Sequence, residues 1–329
     1  MKSMLIAVGG NSLIRAGQKG TVGEQWVNAR RTAAAIVDLV RMGYRIVVSH
    51  GNGPQVGAQL LRSELAADQV PGQTLDVCGA ASQGEIGYLL CQSLRDEMAA
   101  AGLHHPVASV VTQTVVRADD PAMMHPSKPI GPFYSRARAL ELQHQLGWHI
   151  VEDAARGYRR LVPSPEPVEI VELDVLRNLT NDGVLVVACG GGGIPVVRHG
   201  HELAGVDAVI DKDRASALLA SSLGIDILAI STDVDFVYLD YKKPGQRCLR
   251  SITTSELEVH YRAGHFPPGN MGPKVESALR FLRAGGKEVV ITSYEHLSEA
   301  FAGRMGTHII PDLFAPVREA AETKVLVGG

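Results

Sequence analysis

The sequence predicts an α/β fold, a mainly parallel sheet with helices on both faces, and two observations carry that reading. Short apolar runs alternate with longer amphipathic stretches, and three of the runs end in glycine-rich turns. Strand, loop and helix repeated in this order give parallel strands joined by helical crossovers, which cover both faces of the sheet. Ligands of such sheets bind beyond the carboxyl ends of the strands, so the turns there are where chemistry is expected.

Residues 4–8 read as a buried first strand. Five apolar residues before a glycine pair are too few for a signal peptide, and no stretch approaches a membrane span. Further strands are expected at 45–49, 107–116, 184–189, 226–231 and 288–292, and helices at 24–42, 54–67, 83–101, 211–223 and 273–284. In the first helix Ala29, Ala33, Ile36, Val37 and Val40 recur at the three-and-four spacing of one buried face. Two segments break the rhythm. Residues 117–132 carry Pro121, Pro126, Pro129 and Pro132, and 163–167 form a second proline cluster, with a mixed region at 135–162 between them. We read about 117–167 as an inserted subdomain or lid; a long surface excursion is the plainer alternative.

Composition excludes several functions. A net charge of -3 gives no basic excess for binding nucleic acid. Cys78, Cys91, Cys189 and Cys248 form no C-x-x-C pair and read as reduced thiols of a cytoplasmic protein. No histidine spacing resembles a zinc site, so no structural metal is expected.

The glycine-rich turns are Gly9-Gly10-Asn11, His50-Gly51-Asn52-Gly53-Pro54-Gln55 and Gly190-Gly191-Gly192-Gly193. Glycine lets backbone N–H groups come close to an oxyanion, and a helix N-terminus adds positive partial charge. One such turn is usually structural; three at strand ends favour a phosphate site. No G-x-x-x-x-G-K-[ST] occurs, and Gly57 falls one residue too late for a dinucleotide fingerprint after Gly51 and Gly53. A Walker-type ATPase and a dehydrogenase are therefore disfavoured.

Phosphoryl transfer needs cations on the migrating group. Lys128 stands between prolines, Lys212 opens a helix in Asp211-Lys212-Asp213-Arg214, and Lys274 follows a glycine/proline turn. Each reads alone as a solvated surface residue, but all three fall at turns expected on the ligand side. Asp211 and Asp213 read equally as lysine-orienting or Mg²⁺-holding groups and as helix caps. Ser231, Thr232, Asp233 and Val234 follow an apolar strand and either meet a nucleotide or make a plain polar turn.

These segments resemble carbamate kinase, of the amino acid kinase superfamily. The likeness runs end to end in the same order: Gly9-Gly10-Asn11, SHGNGPQVG at 49–57, Ser82-Gln83-Gly84 with Ile86-Gly87-Tyr88, SKPIGPF at 127–133, RGYRRLV at 156–162 with the prolines after it, CGGGGIPVV at 189–197, VIDKD at 209–213 and the stretch 264–274. The resemblance implies a three-layer αβα sandwich with a small protruding subdomain. It implies reversible transfer from ATP to carbamate, giving ADP and carbamoyl phosphate, with Mg²⁺, in a homodimer, and a place in arginine or purine/allantoin catabolism. It puts the acceptor in about 1–195 and the nucleotide in about 196–329. Gly9, Gly10, Asn11, Gly51, Asn52, Gly53, Gly190, Gly191 and Gly192 would surround the substrate with Lys128. Lys212 and Lys274 would meet the transferring phosphoryl with Asp211 and Asp213 as organisers, and Ser231, Thr232, Asp233, Val234, Met271 and Gly272 the nucleotide. Related acetylglutamate, glutamate and uridylate kinases carry a lysine on the first strand; residues 4–8 have none, and Lys128 would substitute. Departures from the family pattern fall at Asp233, Ala155, Asn270, Gly272 and residues 15–23. Two other readings share the fold: a different acylphosphate-forming kinase, and a non-catalytic ligand sensor, which should lack one of the three lysines.

Overall fold

A computed structural model describes residues 2–15, 17–152, 157–267 and 271–314. Ala155 and Asn270, two of the departures noted above, lie outside these. The chain begins with β1 (Ser3–Val8), α1 (Val22–Arg41), β2 (Arg45–His50), α2 (Gly53–Leu65) and α3 (Leu75–Ala100). Thr21 and Glu24 form a reciprocal capping box that starts α1 two residues before its expected boundary. α3 starts eight residues before its expected boundary, because Leu75 and Cys78 are buried with Val56, Leu60, Ile130 and Val162 in a small separate core. Only long-range packing defines that core.

The expected single strand at 107–116 is two strands, β3 (Val107–Ser109) and β4 (Gln113–Val116), in different sheets. The chain changes sheet without glycine or proline. Gln83 instead grips Thr112 on both sides: its Nε2 donates to the Thr112 carbonyl at 3.0 Å and its Oε1 accepts the Thr112 N–H at 2.8 Å.

In the described part of the mixed region, β5 (Lys128–Tyr134), α4 (Arg136–Leu146), β6 (His149–Glu152) and β7 (Tyr158–Val162) build an antiparallel sheet of order β5-β7-β6 with one helix. After it come β8 (Pro167–Ile170), α5 (Leu173–Asn181), β9 (Leu185–Val187), β10 (Ile194–His199), β11 (Glu202–Gly205), α6 (Lys212–Leu223) and β12 (Ile227–Thr232). The chain continues through β13 (Val237–Leu239), β14 (Arg247–Leu249), β15 (Ser251–Thr253), α7 (Thr254–Arg262), α8 (Met271–Arg283), β16 (Glu288–Ser293), α9 (Leu297–Phe301) and β17 (Thr307–Ile310).

The large sheet has the order β15-β17-β16-β12-β1-β2-β9-β3 and is parallel except between β16 and β17. Alternate residues of β1 serve opposite cores. Leu5 and Ala7 pack with Leu219, Val275 and Leu279 of α6 and α8, whereas Met4, Ile6 and Val8 pack with Ala33, Ile36, Leu90 and Leu94 of α1 and α3. The fold is the three-layer αβα sandwich. From β1 the chain builds outward through β2 on one side and later returns to β12 on the other, so the strand order reverses at β1. A switch point of this kind leaves a crevice at the carboxyl ends of the strands.

Candidate active site

The three glycine-rich turns meet at this crevice. Gly9 lies so close to β12 that a Cβ there would sit 3.1 Å from the Ser231 carbonyl oxygen. A Cβ on Gly51 would sit 2.9 Å from the Gly10 backbone nitrogen and 3.4 Å from Cδ of Lys212. Asn52 precedes the first residue of α2 without capping it through its side chain, whose Nδ2 donates instead to Ser82 Oγ at 2.8 Å. The run at 190–193 is a 3-10 turn with φ of +65°, +93° and +89° at Gly191, Gly192 and Gly193, which favours glycine. Gly190 packs under the His50 ring, Gly192 against Ile210, and Gly191 against the Asn52 side chain. Of the four, Gly191 lines the cleft.

That cleft is about 820 Å³ and is also lined by Gly10, Gly51, Asn52, Gly53, Lys128 and Lys212. Asn11 is described in its backbone, within the turn Gly10–Ser12.

Three lysines from three separate elements converge on two aspartates. Lys128, at the start of β5, donates from Nζ to Asp211 Oδ2 at 2.6 Å. Asp211 is also the cap of α6, its Oδ1 accepting the N–H of Asp213 at 2.9 Å and of Arg214 at 3.4 Å. Lys212 Nζ lies 2.8 Å from Asp213 Oδ1 and 3.4 Å from the Ala7 carbonyl oxygen. Lys274, in the first turn of α8, lies 3.0 Å from Asp213 Oδ2. Asp211 therefore combines capping with lysine orientation. The side chains of Asp213, Lys274 and Lys212 are only 3%, 12% and 13% exposed, and that of Lys128 is 36% exposed.

Burial is the largest influence on Asp213, Lys212 and Lys274 and works against the charge of each. It would raise the Asp213 carboxyl, but the ammonium groups of Lys212 and Lys274 override it and hold the carboxyl far below the usual range. Burial lowers Lys212, with Asp213 opposing and Lys274 adding repulsion. Burial also works to lower Lys274, yet Asp213 leaves it raised on balance. Burial pushes the neutral-favouring His50 down to about 4, and its Nδ1 donates to the Gly51 carbonyl at 3.1 Å.

Around the lysines a second set of charges ties elements together. Arg214 pairs with Glu276 at 2.9 Å, so α6 and α8 are linked two residues beyond Lys212 and Lys274. Glu166, in the proline cluster, meets Arg214 at 3.2 Å and also Arg280. Its N–H donates to Asp120 Oδ2 at 2.8 Å, which joins the two ends of the inserted segment.

Ser231 and Thr232 end β12 and are buried, with Ser231 Oγ 3.5 Å from Ser12 Oγ. Asp233 follows, exposed, and contributes to raising Lys274. Val234 is half-buried, Met271 packs on the core, and the Gly272 N–H donates to the Pro267 carbonyl at 3.0 Å. None of these lines the 820 Å³ cleft, nor do Lys274 and Asp213, which reach it through the Asp213 bond to Lys212.

Sequence reasoning gave no role to Arg15 or Arg159, which line the cleft, nor to Gln83 and His50, which support its glycine turns. Arg159, His50 and Gln83 fall inside segments quoted above, but nothing in their spacing marks them.

Residues 2–293 match the profile of the amino acid kinase family. The chain is 48% identical over 314 residues to the carbamate kinase of Thermococcus kodakarensis and 46% identical over 310 to that of Pyrococcus horikoshii, covering 94% of this chain and 99% of each relative. Among solved structures, carbamate kinase from Giardia lamblia bound to AMP-PNP superposes with a TM-score of 0.88 at 44% identity, over 94% of this chain and 99% of that one.

Proposed function

The chain belongs to the amino acid kinase family, and from that premise we propose how its site transfers a phosphoryl group between ATP and carbamate. It acts as an ATP-dependent kinase with the function of its carbamate kinase relatives, giving carbamoyl phosphate and ADP reversibly. The observation that carries the mechanism is the convergence of Lys128, Lys212 and Lys274 on Asp211 and Asp213.

The migrating group spreads its charge over three equatorial oxygens, and three ammonium groups held in a water-poor site match it. Asp211 and Asp213 hold the lysines aimed before the ligand arrives. As the phosphoryl enters, each ammonium group, with three N–H donors, meets phosphate oxygen while keeping its carboxylate partner, and the Arg214–Glu276 pair maintains the spacing of α6 and α8. The carbamate end lies in the cleft, where the N-terminus of α2 and the turns at Gly10 and Gly51 offer N–H groups. The nucleotide occupies the ends of β12 and α8, at residues 231–234 and 271–274. On this reading about 1–195 serves the acceptor and about 196–329 the nucleotide.

A protein-held Mg²⁺ does not fit the aspartates. All four carboxylate oxygens of Asp211 and Asp213 already accept from lysine or backbone N–H. No group of three or more His, Cys, Asp or Glu suited to a metal occurs among the described residues. Mg²⁺ belongs instead to the substrate, carried on the nucleotide phosphates.

Residues 117–167 form a lid carrying Lys128. Supporting this are their own small sheet, the stem tied by Glu166 and Asp120, and Lys128 as the most exposed of the three lysines. A homodimer through the open β3 edge of the large sheet is supported by the exposed Tyr88 and Val111 beside it. Four free cysteines support a cytoplasmic location, and no helix among the described residues is long and apolar enough to cross a membrane.

The test is ATP formation from ADP and carbamoyl phosphate in a coupled assay. Turnover is expected with carbamoyl phosphate and not with acetylglutamyl or aspartyl phosphate. Turnover of another acyl phosphate in its place would identify a different kinase of the family, and binding without turnover would identify a sensor.

A further inference from the structure

β5 and α2 cross where neither chain has a side chain. A Cβ on Gly57 would lie 2.0 Å from Cα and 2.4 Å from N of Gly131, so the two backbones touch directly. Gly57 is one turn into α2, the helix whose first residues face the acceptor; Gly131 is three residues beyond Lys128. Gly131 has φ +78° and falls where the β5–β7 register shifts, between Ile130 and Tyr134. A strand interrupted in this way loses ladder partners for its carbonyls. Arg159 replaces one of them: its Nε donates to the Gly131 carbonyl at 3.1 Å, and its guanidinium lies 5.4 Å from the centre of the Phe133 ring. Gly131, Phe133 and Arg159 all line the cleft, beside Lys128.

We propose that Gly57, Gly131 and Arg159 form the bearing on which the lid rests, and that they are the positioning residues which set the height of Lys128 above the acceptor. Two touching backbones admit no rotamer change, so the Gly57–Gly131 contact defines one separation of β5 from α2. Arg159 holds the irregular stretch of β5 in the shape that makes this contact. The neighbouring small core of Val56, Leu60, Leu75, Cys78, Ile130 and Val162 supplies adhesion without fixing a separation so sharply, because side chains can repack. Only Pro129 and Ile130 separate Lys128 from the contact, so a shift there reaches its ammonium group almost undiminished.

The inference rests on the kinase reading, and its test separates the two. Gly57→Ala forces β5 away from α2 by more than an ångström, a displacement that typically lowers kcat about a hundredfold. Arg159→Met is the second variant, free of any new clash, with an expected loss of about tenfold. In both, KM for ADP should stay within about twofold, since the nucleotide elements do not touch the bearing. The decisive comparison repeats each change in a Lys128→Ala background. If the bearing acts through Lys128, neither change lowers kcat further there; losses that multiply in full would overturn the proposal. Should Gly57→Ala not fold, the Arg159→Met cycle decides alone. Should the parent make no ATP from carbamoyl phosphate, the kinase reading falls, and hydrogen exchange still tests the bearing. Gly57→Ala must then raise exchange in β5 and leave β1 and β12 unchanged; unchanged β5 would overturn it.

Discussion

Replacing Asp213 by Asn tests the electrostatic design of the site at its centre. The carboxylate sits 2.8 Å from one ammonium group and 3.0 Å from another, with a side chain only 3% exposed. At an effective dielectric of about 20, a unit pair at this separation attracts by about 6 kcal/mol. Burial offsets part of that, and removing one partner of a buried, hydrogen-bonded pair typically costs about 3 to 5 kcal/mol. Asn keeps the shape but can accept from only one lysine, and its NH₂ faces the other. Lys212 is the group that yields, because burial and Lys274 already lower it and Asp213 is the main force opposing them. It then holds its proton less tightly than in the parent. In the coupled ATP-forming assay we expect kcat about a hundredfold down or more at pH 8, the usual scale for losing one preorganised charge contact. The sign of the pH effect follows. Lys212 must be charged to act, and its affinity for a proton has fallen, so Asp213→Asn should recover activity as pH is lowered and lose it as pH rises. In the parent, the depressed Asp213 carboxyl stays ionised throughout and contributes no such limb. A variant with parental kcat and an unshifted pH profile would refute the reasoning.

Four further outcomes are expected. Lys128→Ala, Lys212→Ala and Lys274→Ala should each lower kcat by about a hundredfold or more with the fold retained, measured by turnover and far-UV circular dichroism; near-parental kcat in all three would remove their assignment. Gly51→Val should weaken carbamoyl phosphate binding, since its side chain would press on the Gly10 backbone and the Lys212 stem; normal binding by calorimetry would make that turn merely structural. Hydrogen exchange across 117–167 should slow when ADP and carbamoyl phosphate are added together, as a lid requires; equal protection with and without them would leave Lys128 as part of a preformed site. His50 titrates near 4 when folded and near 6.5 when unfolded, so the unfolded chain binds more protons between these values and stability falls as pH drops. The loss between pH 7 and pH 5 should be about 2 kcal/mol in urea melts, and His50→Gln should abolish that portion of it.

The central strands and the helices between them were legible because each is defined by its own residues. β1 is apolar from Met4 to Val8 and ends at a glycine pair, and α1 shows one buried stripe with a capping box before it. The glycine turns and the three lysines were legible too, as residue types that phosphate chemistry needs. Other features had no local mark. The break between β3 and β4 falls in VASVVTQTVV, an uninterrupted β-forming run, and exists because Gln83 from α3 captures Thr112. The helix and three strands between 128 and 162 were hidden because α4 buries only Ala139 and Leu142, too few for a readable stripe.

By itself, then, the sequence determined the class of fold, the family and the chemical inventory of the site, because periodicity, turn residues and motif order are properties of the chain alone. Only the tertiary structure decided which groups face one another. Lys128 and Asp211 are 83 residues apart, and Lys274 and Asp213 are 61 apart, yet each pair is in contact. It decided that every carboxylate oxygen of Asp211 and Asp213 accepts from a lysine or a backbone N–H. It also decided that Gly57 meets Gly131, backbone against backbone. A glycine in a helix announces only the absence of a side chain; what fills the space it leaves is settled when distant segments pack.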